Sequence, residues 1–139
     1  MLGIKLNHVD GGLMLSQAHY VESFLALYGM EDCRSVLTPM VPNSHLEEST
    51  SEEGTSFDTL NTSFKSAVGS LSYLSVATQP DISFAVSSFS QFLEIPGIQH
   101  WNSFLHVLRY LKGTIALGVY NGLERGGGLC AYSDAYWGN

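Results

Sequence analysis

The chain has 139 residues, of which 45% are hydrophobic, with seven Phe, seven Tyr and two Trp, so it is long enough for one packed domain and is not a disordered polymer. Six basic residues face thirteen acidic ones, a formal net charge of −7, which argues against a free-standing nucleic-acid binder with a broad basic footprint. No apolar run approaches the roughly 18 residues of a membrane span, and no early run has the order of a signal peptide.

The acidity is local. Glu47, Glu48, Glu52, Glu53 and Asp58 fall in one stretch with no basic residue between them. Cys33 and Cys130 lie far apart, so a disulfide is possible, but two thiols in an intracellular chain is the blander reading. The expected setting is intracellular, cytoplasmic or nuclear, with no membrane partner.

Leu2, Ile4 and Leu6 alternate with Gly3, Lys5 and Asn7, which predicts a strand. Asp10-Gly11-Gly12 supplies a tight turn before Leu13-Met14-Leu15, so residues 2–15 read as a β-hairpin. Ser16 suits a helix N-cap, and Tyr20, Val21, Phe24, Leu25, Leu27 and Tyr28 recur at helical spacing, predicting a helix over 17–28 closed by Gly29. Met30 to Pro42 reads as extended. Residues 43–58, rich in Ser, Thr and Glu, read as a flexible acidic loop.

Three helices follow across 64–113. The first runs from Phe64 to Thr78 and the second from Pro80 or Asp81 through Leu93. The third runs from Gln99 to Lys112, with Trp101, Phe104, Leu105, Leu108 and Leu111 on one face and His106 and Arg109 on another. Ile115–Tyr120 and Gly128–Ser133 read as two strands joined by the glycine-rich turn at 124–128. The fold class is therefore α+β: an N-terminal β-hairpin, about four helices in a bundle, and a C-terminal β-hairpin.

Spacing alone offers little chemistry. No Cys or His pairing suits zinc, and the five histidines read as surface or lightly buried residues. Gly126-Gly127-Gly128 is a hairpin turn before it is a phosphate cradle. Asp134 ends an apolar β-like run, where a carboxylate could be held toward a metal, although a turn role is the commoner one. His106, Arg109 and Lys112, spaced by three, form a loose cationic stripe, either a phosphate-contacting face or a solvated helix end favoured by the dipole. Lys5 is a further candidate for phosphate contact.

Four ordered segments carry a resemblance. The first comprises Met1-Leu2-Gly3-Ile4, Leu15-Ser16-Gln17, Tyr20, Tyr28-Gly29-Met30, Cys33 and Thr38-Pro39. The second is Val68-Gly69-Ser70-Leu71-Ser72-Tyr73-Leu74 followed by Pro80-Asp81-Ile82-Ser83-Phe84-Ala85-Val86. The third is His100-Trp101 with Val107-Leu108-Arg109-Tyr110-Leu111-Lys112-Gly113-Thr114. The fourth is Tyr132-Ser133-Asp134-Ala135 with Trp137. Together they resemble copia-type retrotransposon polyproteins, from the reverse transcriptase thumb and connection into the start of RNase H.

The resemblance implies that residues 1–114 are the C-terminal part of a reverse transcriptase and 115–139 the start of an RNase H-like domain. Leu2 and Gly3 would belong to a primer-grip-like hairpin. Lys5, His106, Arg109 and Lys112 would contact an RNA–DNA hybrid or primer–template. Asp134 would match the first metal-binding carboxylate of RNase H, with Mg²⁺ as cofactor only in the intact parent and none here. The rest of the polyprotein would be the natural partner.

The departures are specific. The Tyr-x-Asp-Asp motif of the family's polymerase does not occur, nor does any Asp-Asp pair. Tyr136 stands where a second aspartate is usual, Asn139 stands near another acidic position, and Met1 replaces an aromatic. The expectation is a fragment of an RNA-directed DNA polymerase with RNase H, catalytically inactive alone and cut within the nuclease domain. Whether it is an enzyme in its own right is left open. Two alternatives stand beside it: a host-retained helical protein-interaction module, and a minimal metal-dependent nuclease centred on Asp134.

Overall fold

In the computed structural model, residues 3–42, 44–49 and 64–122 are described. Strands β1 (Lys5–Val9) and β2 (Gly12–Ser16) pair antiparallel, with Val9 opposite Gly12 and Lys5 opposite Ser16. Asp10 and Gly11 make the connecting turn, and Gly11 takes φ of +79°, which an L side chain resists. The predicted hairpin is present. Ile4 and Leu6, which share one face in the expected alternation, stay exposed, as does Val9 on the other face.

A third strand, β3 (Val119–Gly122), pairs antiparallel with β2, giving the order β1-β2-β3. This shifts the strand expected at 115–120. Backbone bonds from Thr114 N–H to the Leu111 carbonyl and from Leu117 N–H to the Thr114 carbonyl turn the chain first. The extended run starts only at Val119, and its pairing partner is the N-terminal hairpin. Gly118 sits against β2 so closely that an added Cβ would lie 2.3 Å from the Leu15 carbonyl oxygen. The companion strand expected at 128–133 lies outside the described residues.

Helix α1 (Ala18–Leu27) follows β2 directly. Ser16 is not its cap: Ser16 completes the ladder opposite Lys5, and Gln17 takes the N-cap position without a side-chain cap bond. The Gln17 side chain is drawn inward instead, where its Oε1 accepts from the Thr78 hydroxyl at 2.8 Å. The C-terminus follows expectation. Gly29 N–H donates to the Ala26 carbonyl and Met30 N–H to the Leu25 carbonyl, a Schellman closure.

Helix α2 (Phe64–Ala77) buries Phe64, Ala67, Val68, Leu71 and Leu74. A single 3₁₀ turn, Pro80–Ile82, leads into the short helix α3 (Ser83–Ser90), which buries Ala85, Val86 and Phe89. Phe84 points the other way and is 76% exposed, so it does not belong to the apolar face expected of this helix. The helix also ends earlier than predicted, before the turns at 91–95.

Helix α4 (Ile98–Gly113) is the central element, with Phe104, Val107, Leu108 and Leu111 fully buried. Its N-terminus uses a histidine. His100 Nδ1 accepts the Gly97 N–H at 2.9 Å, satisfying a backbone donor of the helix start. His100 is fully buried against Phe92, with ring centroids 4.5 Å apart, which corrects the surface role expected of it. Apolar neighbours on α4 bury it because position 100 shares their face.

An aromatic cluster joins α4 to α1. The Phe104 ring lies 6.1 Å from Phe24, 5.0 Å from Tyr28 and 4.9 Å from Trp101, mostly edge-to-face. Truncation to Phe104→Ala should cost about 3–5 kcal/mol in chemical denaturation. Phe84→Ser, at an exposed site, should stay within about 0.5 kcal/mol of the parent. Equal effects would contradict this packing.

Across the end of the bundle, the Tyr110 hydroxyl donates to the Asp81 carboxylate. Burial, and then the bond to Asp81 and its negative charge, push the Tyr110 phenol up to about 12 from its usual 10.0. The folded state thus holds this proton more tightly than the unfolded chain. The associated stability is fully present below pH 10 and is lost as pH rises from 10 toward 12. Burial also raises the Tyr28 phenol, so a phenolate absorbance titration should show late ionisation, of which the Tyr110 part moves toward the ordinary value in Asp81→Asn. A titration unaffected by that substitution would refute the assignment.

Candidate nucleic-acid interface

The residues proposed to face nucleic acid divide between two places. Lys5 lies exposed on edge strand β1, next to the exposed Ile4 and Leu6. Gly3 precedes it with φ of +65° and packs beside Tyr20 of α1, where an added Cβ would sit 3.4 Å from the tyrosine Cβ. Leu2 lies outside the described residues, as does Asp134.

His106, Arg109 and Lys112 lie on α4, but they are not an equivalent stripe. The segment 30–42, expected to be extended, is an irregular strap laid along this helix. His106 Nε2 lies 3.0 Å from the Thr38 carbonyl oxygen. A carbonyl only accepts, so Nε2 carries the proton and donates. Arg109 Nε donates to the Arg34 carbonyl at 2.9 Å, while Val36 N–H donates back to the Arg109 carbonyl at 3.4 Å. Two of the three residues therefore hold the strap. Lys112, in the last turn, has no such bond among the described residues and is well placed for the negative end of the helix.

Sequence spacing did not reveal this, because the strap's carbonyls lie 68 and 75 residues away along the chain. A local signal did exist: Pro39 and Pro42 keep this segment out of a helix, leaving its carbonyls in need of donors.

Between strap and helix lies a groove of about 350 Å³, lined by Met30, Val41, Asn102, Leu105, His106 and Arg109. A second hollow of similar volume, about 350 Å³, lies at the β3 end beside Gln79, Asp81 and Leu117. There the Gln79 Nε2 donates to the Thr114 carbonyl at 3.3 Å.

No metal centre assembles from what is described. Among those residues no three His, Cys, Asp or Glu side chains come together as a metal-binding group. Among the described residues, therefore, no carboxylate set fits a Mg²⁺ pair. Among the described residues no helix is long and apolar enough to cross a membrane.

No protein-family model matches the chain, and no solved structure does. Curated proteins do. The chain is 41% identical over 138 residues to the retrovirus-related Pol polyprotein from transposon RE2 of Arabidopsis thaliana, covering 98% of this chain and 9% of that protein. It is 38% identical over 121 residues to the Pol polyprotein from transposon TNT 1-94 of Nicotiana tabacum, covering 82% of this chain and 9% of that protein. An uncharacterized mitochondrial protein of Arabidopsis thaliana is 36% identical over 136 residues, covering 98% of this chain and 54% of that protein. The chain thus spans about a tenth of the length of the polyproteins it matches, and the similarity runs through nearly all of its own residues. Through that segment, the chain belongs to the family of copia-type, retrovirus-related Pol polyproteins of transposons.

Proposed function

We propose that the chain is a thumb and connection segment of a retrotransposon RNA-directed DNA polymerase, leading into the first strand of its RNase H, and that it has no catalytic activity alone. The observation that carries this reading is the identity of 41% to transposon Pol polyproteins along nearly the whole chain. In the parent, the segment would help hold primer–template through shape and backbone phosphates, with no base readout.

The geometry sorts the candidate contacts. Lys5 on the exposed edge and Lys112 at the end of α4 are the cations proposed to meet phosphate. The hairpin carrying Leu2 and Gly3 is proposed as the primer-grip-like element. His106 and Arg109 act first on the protein's own strap. Asp134 is proposed as a relic of the first RNase H carboxylate, able to hold Mg²⁺ only with partner carboxylates in the parent.

Binding of an RNA–DNA hybrid, measured against salt, tests the phosphate contacts. Lys5→Ala with Lys112→Ala should flatten the slope of log affinity on log salt by about 2, roughly one unit per lost contact. An unchanged slope would remove both lysines from the interface.

Incubation of the hybrid with Mg²⁺ should yield no cleavage, because one carboxylate cannot hold two metals. Cleavage abolished by Asp134→Asn would establish the minimal nuclease instead. The interaction-module alternative is favoured by a separate observation, the groove beside Arg109.

A further inference from the structure

The groove between the strap and α4 has an aliphatic floor, formed by Met30, Leu105 and Val41, and a polar rim of Asn102, His106 and Arg109. Among the described residues no acidic side chain lines it. Arg109 enters it oriented, because its Nε is already bonded to the Arg34 carbonyl. That bond restrains the guanidinium plane and leaves both terminal nitrogens for another acceptor. Among the described residues no carboxylate pairs with Arg109, where the one ion pair is His19 with Glu22. His106 is similarly fixed by its bond to Thr38. The result is a hollow of about 350 Å³ with a preset positive edge beside an apolar floor.

We propose that this groove is a docking site for a short acidic, aliphatic peptide segment of a partner protein. One apolar side chain would lie on the Met30–Leu105–Val41 floor. A neighbouring Asp or Glu carboxylate would accept paired hydrogen bonds from the Arg109 terminal nitrogens, a geometry that planar guanidinium and carboxylate share. The Asn102 amide is placed to bond the peptide backbone.

Charge and shape favour this occupant over a nucleic acid. The groove presents one restrained guanidinium, which suits a carboxylate better than a run of backbone phosphates. Bases stack on aromatic faces, and this floor is aliphatic. Neither Lys5 nor Lys112 lines the groove, so its failure and the failure of nucleic-acid binding can be read separately.

The test uses a short fluorescein-labelled peptide alternating leucine and glutamate, followed by anisotropy on the full chain. Saturable binding is expected, with the leucine–glutamine counterpart at least about tenfold weaker. Arg109→Gln should weaken the acidic peptide by a similar factor. Val41→Trp, which fills the groove from an exposed position and leaves Arg109 in place, should do the same. If Arg109→Gln loosens the strap and lowers the melting temperature, Val41→Trp decides.

Binding that does not saturate, that ignores the glutamates, or that survives Val41→Trp overturns the proposal. So does displacement of the peptide by an RNA–DNA hybrid in the Lys5→Ala, Lys112→Ala chain, which would assign the groove to nucleic acid.

Discussion

The contact on which the rest of the structure depends is the packing of Phe104 of α4 against α1. Its ring meets Phe24 of α1, Tyr28 at the C-cap of α1, and Trp101 from its own helix. The N-terminal hairpin leads directly into α1, so this cluster also fixes where β1, β2 and therefore β3 stand relative to the bundle. Aromatic burial suits the task because a few large side chains remove much apolar area from water and favour particular mutual angles. The small sheet contributes little of its own: the exposed Ile4, Leu6 and Val9 show that it is positioned by the chain entering α1 more than by its own burial.

Polar groups close the seams that this packing opens. Gln17 meets Thr78 where β2 turns into α1, and Gln79 reaches the Thr114 carbonyl where α4 ends. Both contacts lie where regular backbone pairing stops, and a buried carbonyl or amide left unpaired there would be costly. His100 performs the same service at the start of α4, taking a backbone amide that no glycine side chain could cap. These residues look unremarkable along the chain because each is defined by what it faces.

The strap gives a more consequential case. His106, Arg109 and Lys112 share one spacing, and on an isolated helix they would be a solvated stripe. Packing separates them by giving the first two carbonyl partners and leaving Lys112 at the helix end. A cation restrained through one nitrogen keeps its charge while losing freedom. That is why the same arginine both holds a loop and presents an oriented edge to a groove.

Local pattern carried much of this protein. The Asp10-Gly11 turn, the Gly29 helix stop, the helix break at Pro80 and the apolar face of α4 were legible because each depends on residues within a turn or two of one another. The family was legible for a different reason, the order of four short segments along the chain, and similarity to transposon Pol polyproteins bears it out. What only the tertiary structure decided were the partners at long separation. Ser16 went to the ladder and not to a cap, because Lys5 lies opposite it. Strand β3 joined the N-terminal hairpin, His100 went inward, and two side chains of the stripe turned to the strap. Each outcome depends on groups brought together by burial of the aromatic and aliphatic core, and periodicity along a chain carries no record of which distant carbonyl, strand or ring will arrive beside it.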